Sequence, residues 1–411
     1  MPRVIEYTDP VEGCSGYLVY DREDCRLAAG GFRVQPGLKV QTLIDLAERM
    51  TLKQRVLGIN VDGAKSGLDY DPMSAGSEEV ISRFLTFIAE ELNSRYSMGC
   101  DMGTRFEDLE RLAAGVGLRS VKYAVKHAQG FSDDEYFARM RLLDAPVGRR
   151  TLGQRRAGHV VAHSALAAAD SAGYLATGLH IAIQGFGNLG RAAAESLVAE
   201  GASIVAVADA YGCAVHPRGL DIVSMLEHDQ SRPVSEQTSK LAWLPGETLF
   251  DLPVDVLVLA AVENAITPEQ AATLQAPVVV VGANCGLSEA AEQTLNERGV
   301  LVVPDFIGGI GGSASMETLF GPEILPEPHE VLENVGLLIR ELVIDIIAGS
   351  RLRGMTPRQV ALDIAAAAPV APDRPPYGIS PYSRASRRPR GNRVASAASR
   401  RSGLIASGEN L

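Results

Sequence analysis

Two glycine-rich stretches hold the residue types best suited to chemistry. The first, GINVDGAKSG at residues 58–67, sets a lysine among glycines. Gly58, Gly63, Lys65 and Ser66 fit the phosphate-loop pattern G-x-x-x-x-G-K-[ST] except for one inserted residue, Ala64. A phosphate loop needs its last glycine and lysine adjacent, between a strand and a helix, so that backbone N–H groups and the ammonium close around one anion. That arrangement is missing here, and the pattern is a coincidence of spacing. Glycines flanking Lys65 suggest instead a turn that exposes backbone and ammonium to a small substrate.

The second stretch, IAIQGFGNLGRAAAESLVAEGASIVAVAD at 181–209, has G-x-G-x-x-G at Gly185, Gly187 and Gly190. It follows a strand-like run and opens a helix-like one. The first glycine permits a tight turn, the second lets a pyrophosphate approach the backbone, and the third allows close helix–strand packing. Asp209 ends the next apolar run, 19 residues after Gly190. A carboxylate there accepts hydrogen bonds from ribose hydroxyls and repels a 2′-phosphate. The predicted cofactor is NAD rather than NADP, held by Gly185, Gly187, Asn188, Gly190 and Asp209.

These residues need a scaffold, and the pattern of elements supplies one. The chain has 411 residues, 46% hydrophobic and 22% charged, a globular composition with room for two or three domains. Up to about residue 150, strand-like and helical runs are mixed: SGYLVYDREDCRLAAGGFRV has strand-like ends, and LKVQTLIDLAERMTLKQRVLG and SEEVISRFLTFIAEELNSRY have helical spacing. Residues 151–173 read as an Ala-rich helix that connects two lobes. Short β-branched runs then alternate with helices at 179–184, 202–209, 254–261, 277–283 and 300–305, as buried parallel strands do. Such alternation gives a doubly wound sheet. Residues 330–370 read as two helices split by SRLRGMTP.

Several classes are excluded by composition. No apolar run is long enough to cross a membrane, and the N-terminus lacks the layout of a signal peptide. Five cysteines without paired short spacing suggest reduced thiols in a cytoplasmic protein, and scattered histidines suggest no metal. The net charge is −11, yet residues 372–411 carry eight arginines against two acids, so they are +6 and the rest is −17. Rich in Pro, Ser and Gly, this tail is expected to be a disordered, dispensable extension rather than a nucleic-acid or membrane-surface arm.

MTLKQRVLGINVDGAKSG (50–67) resembles the active-site segment of the glutamate/leucine/phenylalanine/valine dehydrogenase family, through Met50, Thr51, Lys53, Gly58, Gly63, Lys65 and Gly67 without a gap. AGGFRV (29–34) is similar to the family's G-G-x-R turn and CDMGTRFEDL (100–109) to its D-x-G-T segment. LAAVENAIT, VGANCG and ERGVLVVPDFIGGIGG follow in the family's order. The resemblance implies an α/β fold of two lobes: a substrate and oligomerisation domain (1–150) and a Rossmann NAD domain (151–330). Helices at 331–371 pack back between the lobes. It implies a homo-oligomer that oxidatively deaminates an L-amino acid to its 2-oxo acid and ammonia. Lys53 would hold the substrate α-carboxylate, near Gly30. Lys65 would be the low-pKa catalytic lysine and Asp101 would exchange protons with the amino group. Asn284 would face the cofactor.

Departures from that pattern bear on specificity. Ala29 and Met316 stand where glutamate-specific members carry a lysine and a serine for the side-chain carboxylate, so an apolar substrate, branched-chain or aromatic, is expected. Glutamate or another unusual amino acid is the alternative. Asp62, Ser66 and Gly309 replace two glycines and an asparagine, and Asn60 replaces a proline. An acid three residues from Lys65 would raise its pKa. A catalytically impaired homologue kept for cofactor binding or assembly is a further possibility.

Overall fold

A computed structural model describes residues 2–229, 232–237 and 243–383. Two sheets organise it. The first has the order β1-β2-β4-β3-β5, built from β1 (Arg3–Thr8), β2 (Ser15–Tyr20), β3 (Leu27–Val34), β4 (Val61–Leu68) and β5 (Tyr96–Cys100). β1, β2 and β4 pair antiparallel, whereas β3 pairs parallel with both β4 and β5. Every residue of β4 is buried, because the helix Val40–Val56 covers one face and the cluster around Phe32, Phe84 and Tyr96 the other.

A two-residue ribbon, β6 (Pro146–Val147) with β7 (Arg150–Thr151), leads into the helix Leu152–Ser171. Thr151 caps that helix, accepting from the Gln154 backbone N–H in a reciprocal capping box. The second sheet has the order β11-β10-β9-β8-β12-β13-β14. Its five parallel strands are β8 (His180–Gln184), β9 (Ser203–Asp209), β12 (Val256–Leu259), β13 (Val278–Val281) and β14 (Leu301–Val303). These are the five β-branched runs of the sequence. β10 (Gly212–Val215) and β11 (Trp243–Leu244) add an antiparallel edge that the sequence pattern did not announce. The chain reverses direction of travel across the sheet between β8 and β12, where doubly wound folds bind ligands.

One further expectation holds and two are corrected. Helices Pro328–Arg353 and Pro357–Ala367 are separated by Gly354, left-handed at φ 61°, as expected from SRLRGMTP. The second helix lies against both Val40–Val56 and β14, and so touches both halves of the chain. SEEVISRFLTFIAEELNSRY is not one helix: it breaks at Ile88 into Ser77–Phe87 and Ala89–Ser94, and Tyr96 already begins β5. Residues 372–383 are not a disordered extension. Tyr377, Ser380 and Tyr382 are buried; the backbone N–H groups of Tyr377 and Ser380 donate to Gln129 and Glu317, and that of Tyr382 donates to Ser380 Oγ within the segment. The remainder of the expected tail, 384–411, lies outside the described residues.

Candidate active site

The geometry begins with a close approach of helix to strand. A Cβ on Gly63 would lie 2.1 Å from the Ala47 carbonyl oxygen and 2.2 Å from the Thr51 nitrogen. Only glycine lets the helix Val40–Val56 rest directly on β4, and Thr51 Oγ1 accepts from the Gly63 N–H at 3.0 Å. This contact sets Lys53, in the helix's last turn, beside Lys65, in the strand. Lys65 is thus on a fully buried strand, not in a turn as its glycines suggested. Gly31 makes its room: a Cβ there would stand 3.1 Å from Lys65 Nζ.

Asp101 follows β5 in a turn held by Thr104, whose Oγ1 accepts from the Asp101 N–H at 3.0 Å. Its carboxylate caps no helix. It receives Lys65 Nζ at 2.6 Å and Arg33 Nε at 3.0 Å. Burial acts to raise the Asp101 carboxyl, but Lys65 and Arg33 outweigh burial and hold it below the usual carboxylate range. Burial pushes Lys65 below the ordinary lysine range despite the pull of Asp101, and Arg33 adds to that push. Lys53 is pushed down to about 8, chiefly by burial, with Lys65 and Arg49 adding and Asp305 and Asp101 opposing. Its Nζ donates to Asn284 Oδ1 at 2.9 Å and to the Gly309 carbonyl at 3.2 Å, so it reaches across to the second sheet.

Asp62, the acid that threatened Lys65, does something else. Three positions apart on one strand, the two side chains leave from opposite faces. Asp62 is fully buried, accepting from Arg55 Nη2 at 2.6 Å and from the Cys25 N–H at 2.7 Å. The charges that bear most on Lys65 are Asp101 and Arg33. The expected rise of the Lys65 pKa is therefore corrected. Ser66 is also on the far face, with Oγ 2.9 Å from the Tyr96 hydroxyl. At Gly309 a Cβ would sit 2.7 Å from the Gly282 carbonyl oxygen, so an asparagine does not fit without displacement.

Ala29, Gly30, Lys53, Lys65, Asp101, Asn284 and Met316 all line one cavity of about 210 Å³ between the two sheets. It is smaller than the roughly 300–1,000 Å³ of sites for drug-sized ligands and suits a molecule of amino-acid size. Hollows of about 630 and 770 Å³ lie elsewhere and contain neither the two lysines nor Asp101. Sequence reasoning missed four lining or supporting residues: Arg33, Lys122, Arg156 and Tyr377. Arg33 had a signal, the arginine of the G-G-x-R turn. Lys122 and Arg156 had none. They lie in the cavity wall, and neither forms an ion pair among the described residues. Lys122 is pushed down to about 8, by burial first and then by the neighbouring Arg156. Arg156 donates to Ser315 Oγ at 3.1 Å.

The dinucleotide turn lies apart from this cavity, at the carboxyl end of β8. Gly185 is left-handed at φ 92°, and a Cβ on it would be 2.7 Å from Ala261 Cβ. A Cβ on Gly190 would be 1.8 Å from the Gly185 carbonyl oxygen, so helix Asn188–Ala199 presses on the turn. Gly187 has no atom within 4 Å of a Cβ, which leaves the open approach a pyrophosphate needs. Asn188 is the first residue of that helix. Asp209 ends β9 and accepts from the N–H groups of Tyr211 at 2.8 Å, Gly212 at 3.2 Å and Val234 at 2.7 Å. Of about four acceptor positions on a carboxylate, one is left for a ribose hydroxyl. The residues fit a dinucleotide.

Comparisons with known proteins agree with the geometry. Residues 154–318 match the family model of the glutamate/leucine/phenylalanine/valine dehydrogenases, and residues 3–115 match that of the Glu/Leu/Phe/Val dehydrogenase dimerisation domain. A glutamate dehydrogenase B of Halobacterium salinarum is 31% identical over 322 residues, 75% of this chain and 72% of the relative. An NAD-specific glutamate dehydrogenase of Staphylococcus aureus is 29% identical over 320 residues, 74% of this chain and 71% of that one. The hetero-hexameric glutamate dehydrogenase of Thermus thermophilus, in a leucine-bound crystal structure, superposes with a TM-score of 0.70 at 27% identity, covering 89% of this chain and 87% of that one.

Proposed function

Because the chain belongs to the glutamate/leucine/phenylalanine/valine dehydrogenase family, whose members are amino acid dehydrogenases, we propose that it oxidatively deaminates an L-amino acid with an anionic side chain, of glutamate type, using NAD. One observation supports the substrate class: the buried Lys122 and the partly buried Arg156, two cations without an ion-pair partner among the described residues, share the cavity with Ala29 and Met316. Burying unpaired charge is costly. A substrate carboxylate offsets that cost, which Glu110 offsets only in part for Lys122 and an apolar side chain does not reduce. The apolar pocket expected from Ala29 and Met316 considered only those two positions.

The roles follow from the contacts. Lys53, whose two acceptors are neutral, offers its ammonium to the substrate α-carboxylate below about pH 8, to which burial lowers it. Asp101, kept anionic by Arg33 and Lys65, takes a proton from the substrate ammonium, and the free amine's lone pair assists loss of hydride from Cα. NAD, when bound, supplies the acceptor for that hydride. Lys65, its pKa lowered by burial, then takes the proton of a water that adds to the iminium carbon, and ammonia leaves as the 2-oxo acid forms. The Lys65–Asp101 pair, with Lys53 lining the same cavity, speaks against an impaired homologue.

We assign the sheet of β1–β5, in residues 1–150, to substrate binding and to assembly into a homo-oligomer, as the match to a dimerisation domain suggests. Residues 151–330 form the NAD domain, and Asp209 favours NAD over NADP. Among the described residues no helix is long and apolar enough to cross a membrane. The site of action proposed is the cytoplasm, where the five cysteines stay free thiols. The test is Lys122→Met. KM for L-glutamate is expected to rise about ten- to a hundred-fold, the loss of one hydrogen bond to a charged group, with KM for NAD within about twofold. An unchanged KM for every acidic amino acid tried refutes the assignment.

A further inference from the structure

The C-terminal segment 371–383 crosses the molecule from one sheet's surroundings to the other's. On the first-lobe side, Asn60 Nδ2 donates to the Ala371 and Arg374 carbonyls, and the Asn60 N–H donates to the Pro376 carbonyl at 3.0 Å. Ser380 Oγ donates to the Leu57 carbonyl at 2.6 Å, and Gln129 brackets Tyr377 through its backbone N–H and carbonyl. On the other side the buried Glu317 carboxylate accepts the N–H of Gly378 at 2.8 Å and that of Ser380 at 3.0 Å. Burial pushes the Glu317 carboxyl up to about 7, so above that pH these two backbone donors make charge-assisted bonds to it. This is a built seat, not an incidental contact.

What the seat holds in place is Tyr377. The residue is 2% exposed and its ring stacks on Phe320 at 5.9 Å between centroids. It lines the substrate cavity with Met316, Lys122 and Arg156. A buried phenol ordinarily has a hydrogen-bond partner. The Tyr377 backbone is bonded to Gln129, but no bond to its hydroxyl is formed among the described residues, while Arg156 is close enough to bear on the phenol electrostatically. The sequence departs from the family pattern at the point where the segment docks. Asn60 stands where a proline was expected, and proline has no N–H for the Pro376 carbonyl and no amide to hold Ala371 and Arg374.

We propose that the segment 371–383 is part of the active site, and that it delivers Tyr377 as a specificity-determining residue which closes the side-chain end of the cavity and donates its hydroxyl to the substrate's distal carboxylate. This inference rests on the acidic-substrate assignment for its hydrogen bond, but not for its steric wall. Asn60 and Glu317 act through Tyr377 and are positioning residues.

The experiment measures kcat and KM for L-glutamate, L-aspartate, L-leucine and L-phenylalanine in the wild-type chain, Tyr377→Phe, Tyr377→Ala and Asn60→Ala, with KM for NAD as the internal control. Tyr377→Phe is expected to raise KM for the acidic substrate about ten-fold or more while kcat and KM for NAD stay within about twofold. Tyr377→Ala is expected to move preference towards longer or bulkier side chains. Asn60→Ala is expected to reproduce the KM effect of Tyr377→Phe in weaker form. KM values within about twofold of wild type for all four amino acids in both Tyr377 variants overturn the inference even if glutamate is the substrate. A wild-type enzyme that prefers leucine, with Tyr377→Ala shifting that preference, refutes the acidic-substrate assignment while the wall remains.

Discussion

Replacing Asp62 by alanine separates a structural role from a catalytic one. The side chain is fully buried on the face of β4 opposite Lys65, with Arg55 at 2.6 Å and the Cys25 N–H at 2.7 Å. Arg55 is itself 6% exposed, and its other carboxylate neighbour, Asp24, is 3.8 Å away and half exposed. Asp62→Ala therefore leaves a buried guanidinium with two weak partners, Asp24 and the Cys25 sulfur, and a backbone donor with none. Breaking a buried pair from one side costs about 3–5 kcal/mol, and Asp24 places this case towards the lower end. For domains of this size that corresponds to a fall in Tm of the order of 5–15 °C. The assay is thermal unfolding beside the pH profile of kcat at a temperature where the variant is folded. The expected result is a lower Tm with the alkaline rise in kcat at its wild-type pH, because Asp62 is not among the charges acting on Lys65. A Tm within about 2 °C of wild type, together with a profile displaced by half a pH unit or more, refutes this geometry.

Other expectations concern the reacting groups and the cofactor. Lys65→Ala should lower kcat by about 10²–10⁴, the usual worth of a general base, with NAD binding by calorimetry unchanged. Retained turnover contradicts its role. Since burial lowers the Lys65 pKa, deamination should rise with pH as Lys65 loses its proton. Lys122, pushed down to about 8, is cationic below that pH and neutral above it, so KM for glutamate should climb about tenfold per unit on the alkaline side, measured by initial rates. A flat KM to pH 10 contradicts the pairing. Asp209→Ala should raise the NADP-to-NAD ratio of kcat/KM about tenfold or more, and an unchanged ratio removes Asp209 from cofactor choice.

Much of this was legible in the sequence where one short segment carried its own meaning. The five parallel strands showed as β-branched runs because strands buried on both faces tolerate little else. Gly185, Gly187 and Gly190 were readable since each answers a steric demand within a few residues. Lys53, Lys65 and Asp101 were readable through ordered motifs. Side-chain direction was not: the strand parity that turns Asp62 away from Lys65 depends on β4 being a strand, and its glycines imitated a turn. Lys122 and Arg156 meet only through the packing of distant segments, which no local pattern encodes. Tyr377 was hidden by averaging, because the arginine-rich composition of 372–411 masked the apolar and docking residues at its start.

The central claim is that the cavity is built for an anionic side chain, and the most direct measurement is NADH formation by the wild-type chain, with L-glutamate and with L-leucine, below the pH of about 8 at which Lys122 loses its proton. Two unpaired cations and a phenol in the wall predict a kcat/KM for L-glutamate at least about a hundred-fold above that for L-leucine, the worth of two charge-assisted hydrogen bonds. A preference for L-leucine, with glutamate turnover at background, contradicts the account.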